Sequence, residues 1–219
     1  MLKAVVFDLD GTLLDTLGDL TDAVNWALAR NGLPQRSERE VRAYLGNGVK
    51  RLMECAVPDG AANACFDAAF ADFKEYYVSH CLDRTCPYPG IDGMLATLAA
   101  RGLRLAIVSN KLQAGVTELH RRFFAGTVEV AIGEHDGVCR KPAPDMVELA
   151  LRRMGVEAAD AVYVGDSEVD VATARASHLP CVAVLWGFRD RDDLVAAGAH
   201  DIVATPADLV DRIAAMAND

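Results

Sequence analysis

Acidic side chains that could share a bound cation stand in two short segments of the sequence. Asp8 and Asp10 lie in FDLDGT, and Asp166 and Asp170 lie in VGDSEVD. Four carboxylates at one place repel each other and raise one another's pKa, so a cation is needed to keep them all ionised near neutral pH. A donor set made only of oxygen atoms is typical of Mg²⁺. These four aspartates are therefore the candidate ligands of a magnesium ion.

The first acidic pair can divide two chemical roles. In an extended strand residues i and i+2 point the same way, so Asp8 and Asp10 can both face one pocket. An ionised Asp8 can attack as a nucleophile, while Asp10 carries a proton to the leaving oxygen and later takes one from water. Gly11 permits a tight turn after the pair, and Thr12 can cap that turn and is a candidate substrate contact.

Two further polar segments could hold an anionic group. Ser109 and Asn110 stand in VSNK, and Lys141 stands in RKPAPD. Taken alone, Ser109 and Asn110 are typical helix N-caps and Lys141 is an ordinary surface lysine. Beside the four aspartates, they become the expected contacts of a phosphoryl group, with Lys141 as the second positive charge next to the metal.

Composition excludes several classes of protein. The chain has 219 residues, 22 basic against 32 acidic side chains, and a net charge of −10. Such a balance disfavours binding to nucleic acid or to an anionic membrane. The apolar run at residues 4–7 is too short for a signal peptide or a membrane span, so we expect a cytoplasmic protein. Six cysteines without a C-x-x-C pair fit neither a zinc site nor a disulfide scaffold.

The elements that would position these side chains alternate along most of the chain. Short apolar runs typical of strands are followed by stretches with helical periodicity, which predicts an α/β fold with a doubly wound, parallel, Rossmann-like sheet. Polar residues that follow such strands meet at one edge of the sheet, where open α/β sheets bind their ligands. The predicted strands are 4–7, 103–108, 128–132, 161–164, 181–185 and 202–203, and the predicted helices are 91–100, 114–124, 144–154, 169–176, 191–197 and 207–216.

One segment breaks this alternation. Between the first two predicted strands the pattern is helix after helix, at 17–31, 38–45, 49–57 and 61–81. A crossover between parallel strands needs far less chain. We therefore predict an inserted α-helical domain at 16–86, which ends at the hinge sequence PYPG, and a catalytic core made of 1–15 and 87–219.

Four segments in this order resemble the motifs of the haloacid dehalogenase-like hydrolases: FDLDGTLLDT, VSN, the lysine of RKPAPD, and VGDSEVD. The resemblance spans essentially the whole chain. It implies that Asp8 forms an aspartyl-phosphate and that Asp10 is the general acid and base, with its carbonyl oxygen on the metal. The helical insertion is similar to the cap domain that chooses substrates in this family.

The same resemblance assigns the remaining motif residues. It implies that Ser109 and Lys141 bind the phosphoryl group and that Asp166 binds Mg²⁺. Asp170 is assigned to the support of either the metal site or Lys141. An acid two residues after the nucleophile is typical of family members that hydrolyse phosphate monoesters or move phosphoryl groups between positions of a sugar.

A glycine-rich turn in the insertion is a candidate substrate contact. YLGNGVKRLME is similar to the cap of phosphoglycolate phosphatases. Gly46, Asn47 and Gly48 lead into a predicted helix, so free N–H groups and the helix dipole could receive an anion, with Lys50 nearby. A plain turn between two helices, with a solvated basic edge, explains the same residues equally well.

These observations predict a Mg²⁺-dependent phosphatase that acts on a small phosphorylated metabolite, of the phosphoglycolate phosphatase type, as a monomer or homodimer. A phosphomutase or a broad-range sugar phosphatase or pyrophosphatase would keep the same motifs. A phosphonatase would use Lys50 as a Schiff-base amine, which the presence of Asp10 disfavours. A non-catalytic sensor of phosphate esters would have no need of the acid pair.

Overall fold

The structure is a computed structural model that describes residues 1–218. The chain divides into two compact units, one made of Met1–Leu13 and the chain from Pro87 onward, and one made of Leu14–Cys86. Each unit is described by itself. Residue 219, the last of the predicted core range, lies outside the described residues.

The first unit contains a parallel sheet of six strands, as the alternating pattern predicts. Its spatial order is β5 (Val130–Glu134), β4 (Arg104–Leu112), β1 (Ala4–Phe7), β6 (Ala161–Gly165), β7 (Cys181–Val184) and β8 (Asp201–Val203). The first strand lies inside the sheet and pairs with β4 on one side and with β6 on the other. Chain order reverses at this point, so the carboxyl ends of β1, β4 and β6 surround a switch point of the kind that holds ligands in open sheets.

Helices cover the sheet of the first unit. Successive side chains of a strand point to opposite faces of the sheet, and all four side chains of β1 are buried. Both faces of the sheet are therefore covered. Within residues 1–218, no helix is long and apolar enough to cross a membrane. The helices of this unit are α5 (Ile91–Ala100), α6 (Gln113–Leu119), α7 (Asp145–Met154), α8 (Glu168–Ala176), α9 (Arg191–Ala196) and α10 (Pro206–Asn218).

Strand β4 is longer than the predicted strand 103–108. Its pairing with β5 shifts in register between Val108 and Leu112, and this irregular segment still belongs to the strand. The shift carries Ser109, Asn110 and Lys111 beyond the edge of the regular ladder, where all three side chains are buried. Alternation of apolar residues ends at Val108, so the pattern alone could not show this extension.

The second unit is helical, as predicted for the insertion. Helix α1 (Leu17–Arg30) packs on both α2 (Glu38–Tyr44) and α4 (Phe66–His80). The predicted helix 61–81 is interrupted, because Asn63 accepts the Cys65 N–H and donates to the Pro58 carbonyl, which favours a turn. A short 3₁₀ helix, Gly60–Ala62, precedes the break. The elements are β2 (Leu14–Asp15), α1 (Leu17–Arg30), α2 (Glu38–Tyr44), α3 (Gly48–Ala56), α4 (Phe66–His80) and β3 (Cys86–Pro87), and β2 and β3 form a two-stranded sheet.

Candidate active site

Three of the four predicted metal ligands lie together at the carboxyl edge of the sheet. Asp8 follows β1, Asp166 follows β6, and Asp170 lies in the first turn of α8. Carboxylate oxygens of the three residues lie within 4.8 Å of one another, and all three residues are buried. The hydrogen bond from the Asp8 N–H to the Val164 carbonyl, 2.9 Å long, extends the pairing of β1 and β6 as far as the site.

Lys141 lies between two of these carboxylates. Its Nζ is 2.7 Å from Asp8 Oδ1 and 2.8 Å from Asp170 Oδ1. The Tyr163 hydroxyl donates to the same Asp170 oxygen at 3.0 Å, and the Ser167 N–H and hydroxyl both donate to Asp170 Oδ2. Asp170 therefore accepts four hydrogen bonds, the full capacity of a carboxylate. This arrangement favours the support of Lys141 over direct metal binding, between the two roles that the resemblance left open for Asp170.

The charges of this cluster do not balance. Three carboxylates face one ammonium group, and burial makes their charged forms costly. Burial and the neighbouring Asp170 raise the pKa of Asp8 well above its usual range, although Lys141 opposes this. Burial and Asp170 likewise raise the pKa of Asp166 to about 7. For Lys141, burial lowers the pKa, but Asp170 and Asp8 outweigh it and raise the pKa above its usual value, so the lysine is charged.

The open oxygens of the cluster fit a divalent cation. Asp8 Oδ1 accepts the Leu9 N–H at 2.7 Å and contacts Lys141, while Asp8 Oδ2 has no hydrogen bond with any residue from 1 to 218. Each oxygen of Asp166 accepts one hydrogen bond, which leaves each with a free lone pair. An all-oxygen set with excess negative charge suits Mg²⁺. Asp8 and Asp166 are thus the side chains best placed to bind it.

Asp166 is held by two loops. The Thr12 hydroxyl donates to Oδ1 at 2.9 Å, and the Phe188 N–H donates to Oδ2 at 2.7 Å. Thr12, predicted to contact substrate, therefore has a partner inside the protein. The backbone passes so close to this site that two positions require glycine. A Cβ on Gly11, whose φ is +87°, would lie 2.5 Å from Asp166 Oδ2. A Cβ on Gly187 would lie 2.3 Å from the Gly11 carbonyl oxygen.

The two predicted phosphoryl contacts on β4 have different surroundings. Ser109 is buried at the end of the regular strand, and its Oγ accepts the Lys111 N–H at 3.3 Å. Asn110 donates from Nδ2 to the Lys141 carbonyl at 3.0 Å. Asn110 thus ties the loop of Lys141 to β4, a supporting role that its position in the sequence did not indicate.

The carboxylate of Asp10 lies apart from this cluster. Its two oxygens are 3.1 and 3.2 Å from Nζ of Lys111, and the side chain is 22% exposed. The three-carboxylate group does not contain Asp10. The metal contact that the resemblance assigns to the Asp10 carbonyl stays a prediction.

Two buried residues of the site were missed by sequence analysis. Lys111 directly follows Asn110. Nothing in the sequence indicated its contact with Asp10, except that the chain contains few lysines. Tyr163 lies inside β6, where the sequence pattern indicates an ordinary buried strand residue. Its hydroxyl nevertheless contacts Asp170 and Lys141. Burial, Asp170 and Asp8 raise the pKa of Tyr163 well above its usual value, so the hydroxyl keeps its proton.

The glycine turn of the second unit begins α3. Gly46 and Gly48 have φ values of +109° and +77°, and Asn47 is the N-cap residue, without a capping bond from its side chain. Lys50 is exposed and lies 4.0 Å from Glu54. The substrate contacts predicted at Gly46, Asn47, Gly48 and Lys50 stay predictions.

Comparison with known proteins defines the family. Residues 5–184 match the haloacid dehalogenase-like hydrolases, so the chain belongs to this family and is a hydrolase, as its motifs predicted. The chain is 36% identical over 207 residues to a phosphoglycolate phosphatase of Rhodospirillum rubrum, which covers 91% of this chain and 86% of that protein. It is 32% identical over 216 residues to that of Yersinia pseudotuberculosis, over 97% and 93% of the two chains.

A solved structure confirms the predicted α/β fold. The crystal structure of a candidate phosphoglycolate phosphatase from Lactobacillus delbrueckii subsp. bulgaricus superposes with a TM-score of 0.92 and 35% identity. The match covers 96% of this chain and 98% of the other. The Rossmann-like core and the helical unit thus both have counterparts in that structure.

Proposed function

We propose that this hydrolase is a Mg²⁺-dependent phosphatase of small phosphate esters that forms a phosphoaspartate on Asp8. The observation that carries the proposal is the pairing of Asp8 Oδ1 with Leu9 N–H and Lys141, which leaves Oδ2 available as the nucleophile. A bound Mg²⁺ would be held by Asp8 and Asp166, and it would neutralise charge on the phosphoryl oxygens and keep these carboxylates ionised.

In the first step, Asp8 Oδ2 attacks phosphorus in line with the leaving oxygen. The bond from phosphorus to that oxygen breaks, and Asp10 donates a proton to the departing alkoxide. Lys141, whose Nζ is 2.7 Å from Asp8, would bind a phosphoryl oxygen. The Ser109 hydroxyl, at the end of the strand that pairs with β1, would bind another. Because Lys141 also contacts Asp170, its ammonium is fixed before the substrate arrives, so little reorganisation is needed.

In the second step, water attacks the phosphorus of the phosphoaspartate. Asp10, now ionised, accepts a proton from that water, and the bond between phosphorus and Asp8 breaks to release inorganic phosphate. The partial exposure of Asp10 suits this role, since the group must exchange protons with leaving group and water in turn.

The first candidate substrate is 2-phosphoglycolate. Two relatives at 36% and 32% identity are phosphoglycolate phosphatases. We further propose that the unit Leu14–Cys86 serves as the cap in the cytoplasmic enzyme. In it, the turn Gly46–Asn47–Gly48, with Lys50, would receive the substrate carboxylate at the N-terminus of α3, where the helix dipole favours an anion.

The test is phosphate release from 2-phosphoglycolate, hexose and pentose phosphates, nucleotides and pyrophosphate, with Mg²⁺ and with EDTA. Wild type is compared with Asp8→Asn, which keeps the shape of the side chain and removes the nucleophile. As a matched control, Lys3→Met removes a lysine that pairs with Asp160 outside the site.

We expect Mg²⁺-dependent release that peaks on 2-phosphoglycolate and drops on the order of 10⁴-fold or more in Asp8→Asn, with Lys3→Met unchanged. Acid-quenched wild type should carry a phosphoryl group on Asp8. Similar rates of release from many substrates would support the phosphatase mechanism but not 2-phosphoglycolate as the substrate. Transfer of phosphate within hexose phosphates would indicate a mutase. Near-normal turnover by Asp8→Asn would refute the proposal.

A further inference from the structure

We infer that Lys111 is a positioning residue that holds the Asp10 carboxylate where it exchanges protons with leaving group and water. The inference rests on the proposed function, because it takes Asp10 as the general acid and base. It concerns a residue that none of the four family motifs quoted above assigns to the chemistry.

The contact between the two side chains is symmetric. Nζ of Lys111 lies 3.1 Å from one Asp10 oxygen and 3.2 Å from the other. An ammonium placed between both oxygens resists rotation of the carboxylate, since rotation would lengthen at least one of the two contacts. The Lys111 side chain is 6% exposed, so solvent weakens this pairing far less than it weakens a surface ion pair.

The lysine is itself held at its backbone and along its aliphatic stem. Its backbone N–H donates to Ser109 Oγ, and its aliphatic stem passes Gly115, where a Cβ would lie 3.4 to 3.6 Å from three of the stem carbons. The stem thus runs beside a residue without a side chain. The site binds Lys111 along its length and leaves the ammonium aimed at Asp10.

The use of lysine in this chain supports a specific role. The sequence has 5 lysines and 17 arginines. Lys3, Lys50 and Lys74 are exposed, whereas Lys111 and Lys141 are buried, and both contact site aspartates. Burial of an ammonium is costly unless it is paired, so packing alone does not explain Lys111.

The expected benefit is geometric. General acid–base catalysis requires the carboxylate within hydrogen-bond distance of the oxygen that takes the proton. A side chain that is 22% exposed and not restrained would spend part of its time turned toward water. Lys111 keeps the carboxylate near the reacting oxygen, which raises its effective concentration there.

The test compares two substrates of similar size that differ in their need for a proton. The leaving group of 2-phosphoglycolate is an alkoxide, which needs one, whereas acetyl phosphate releases a carboxylate, which does not. The variants are Lys111→Met, Lys111→Arg and Asp10→Asn, with Lys3→Met as the control. Because kcat/KM reports steps up to phosphoryl transfer, it isolates the first step.

For Lys111→Met we expect kcat/KM on 2-phosphoglycolate to fall about 10- to 100-fold, and kcat/KM on acetyl phosphate to change less than about threefold. On acetyl phosphate kcat and KM should fall together, with phosphoenzyme accumulating, because the second step needs Asp10 as a base. Lys111→Arg, which keeps the charge, should recover part of the loss. It also keeps the test usable if Lys111→Met does not fold.

Equal losses on the two substrates would overturn the inference, since they would indicate phosphate binding or a general structural defect. Unchanged kinetics in Lys111→Met would also overturn it. Asp10→Asn separates this inference from the proposed function. If Asp10→Asn shows the selective loss and Lys111→Met does not, only the inference fails; if Asp10→Asn lacks it, the role of Asp10 fails as well.

Discussion

The two buried lysines define two regions of the site with opposite designs. The Lys141 region consists of Lys141, Asp8, Asp170 and Tyr163, in which the lysine contacts two carboxylates and Asp170 accepts four hydrogen bonds. The Lys111 region consists of Lys111 and Asp10, and both oxygens of the partly exposed Asp10 carboxylate contact the lysine.

This difference follows from what each region must do. A group that binds a phosphoryl oxygen has the same charge throughout the reaction, so full burial and saturated hydrogen bonds help to fix its orientation toward that oxygen. A group that transfers protons must change its charge and reach water. The Asp10 carboxylate of the Lys111 region is accordingly partly exposed, while the side chains of the Lys141 region are buried.

The largest expected effect comes from the loss of Lys141. Lys141→Met should lower kcat/KM by about 10³-fold on both 2-phosphoglycolate and acetyl phosphate, because the phosphoryl contact serves every substrate. It also leaves two buried carboxylates without their cation, which should cost about 3–5 kcal/mol in a urea titration at neutral pH. A loss confined to 2-phosphoglycolate would erase the distinction between the two regions.

A second expectation concerns charge in the Lys141 region. The pKa values of Asp8 and Asp166 are raised in the folded chain, so folded protein retains protons that unfolded protein releases. Without metal, stability should therefore fall as pH rises from about 4 through about 7. Mg²⁺ substitutes for those protons, so saturating Mg²⁺ should raise Tm by about 5 °C near pH 8 and by much less near pH 5.

Asp166→Asn is the control for this effect. It removes one of the two carboxylates best placed to hold Mg²⁺ and should abolish most of the Tm increase near pH 8. An equal increase at both pH values, measured by differential scanning calorimetry, would contradict the excess of negative charge in the cluster.

A smaller effect is expected from Tyr163→Phe. The substitution keeps the ring in β6 and removes the hydroxyl that donates to Asp170. One lost hydrogen bond to a charged group should cost about 1–3 kcal/mol. Turnover should drop several-fold on both substrates, because Lys141 loses some of its restraint. A selective loss on 2-phosphoglycolate would place Tyr163 functionally with Asp10 instead.

The smallest expected effect comes from the loss of an exposed lysine, Lys50, in contrast to the two buried lysines. Lys50→Met should leave kcat and Tm unchanged, because Lys50 pairs with Glu54 on the surface. If the glycine turn binds the substrate carboxylate, KM for 2-phosphoglycolate should rise about threefold, while KM for acetyl phosphate, which has no carboxylate, stays constant. If wild type and Lys50→Met have the same KM for 2-phosphoglycolate, the turn is a plain connection between helices.

Sequence reasoning located the residues that follow strands. Asp8, Asp166 and Lys141 were predicted to meet because parallel strands end at one edge of a sheet, and the structure places their side chains together. The six-stranded parallel sheet followed from the same alternation of strands and helices. Periodicity is informative here because these strands are buried and short.

The missed features depend on contacts that periodicity does not encode. Tyr163 looks like a core residue because its ring is buried, and only its hydroxyl reaches the site. The Phe188 N–H that holds Asp166 is a backbone group, which no side-chain pattern can reveal. Lys111 lies in the irregular end of β4, where the register shift decides which way the side chain points.

The central place of β1 also has a consequence for the order of assembly during synthesis. Asp8 leaves the ribosome early, but Asp166, which is linked to Thr12 across 154 residues, comes much later. At about 10 residues per second, the first strand waits roughly 15 s for this neighbour. The residues Leu14–Cys86 form one compact unit from a continuous stretch of chain, so they can form their contacts with one another during that interval. The nascent chain thus acquires its helical unit before it can bind a metal ion, so a ribosome stalled before β6 carries no complete site.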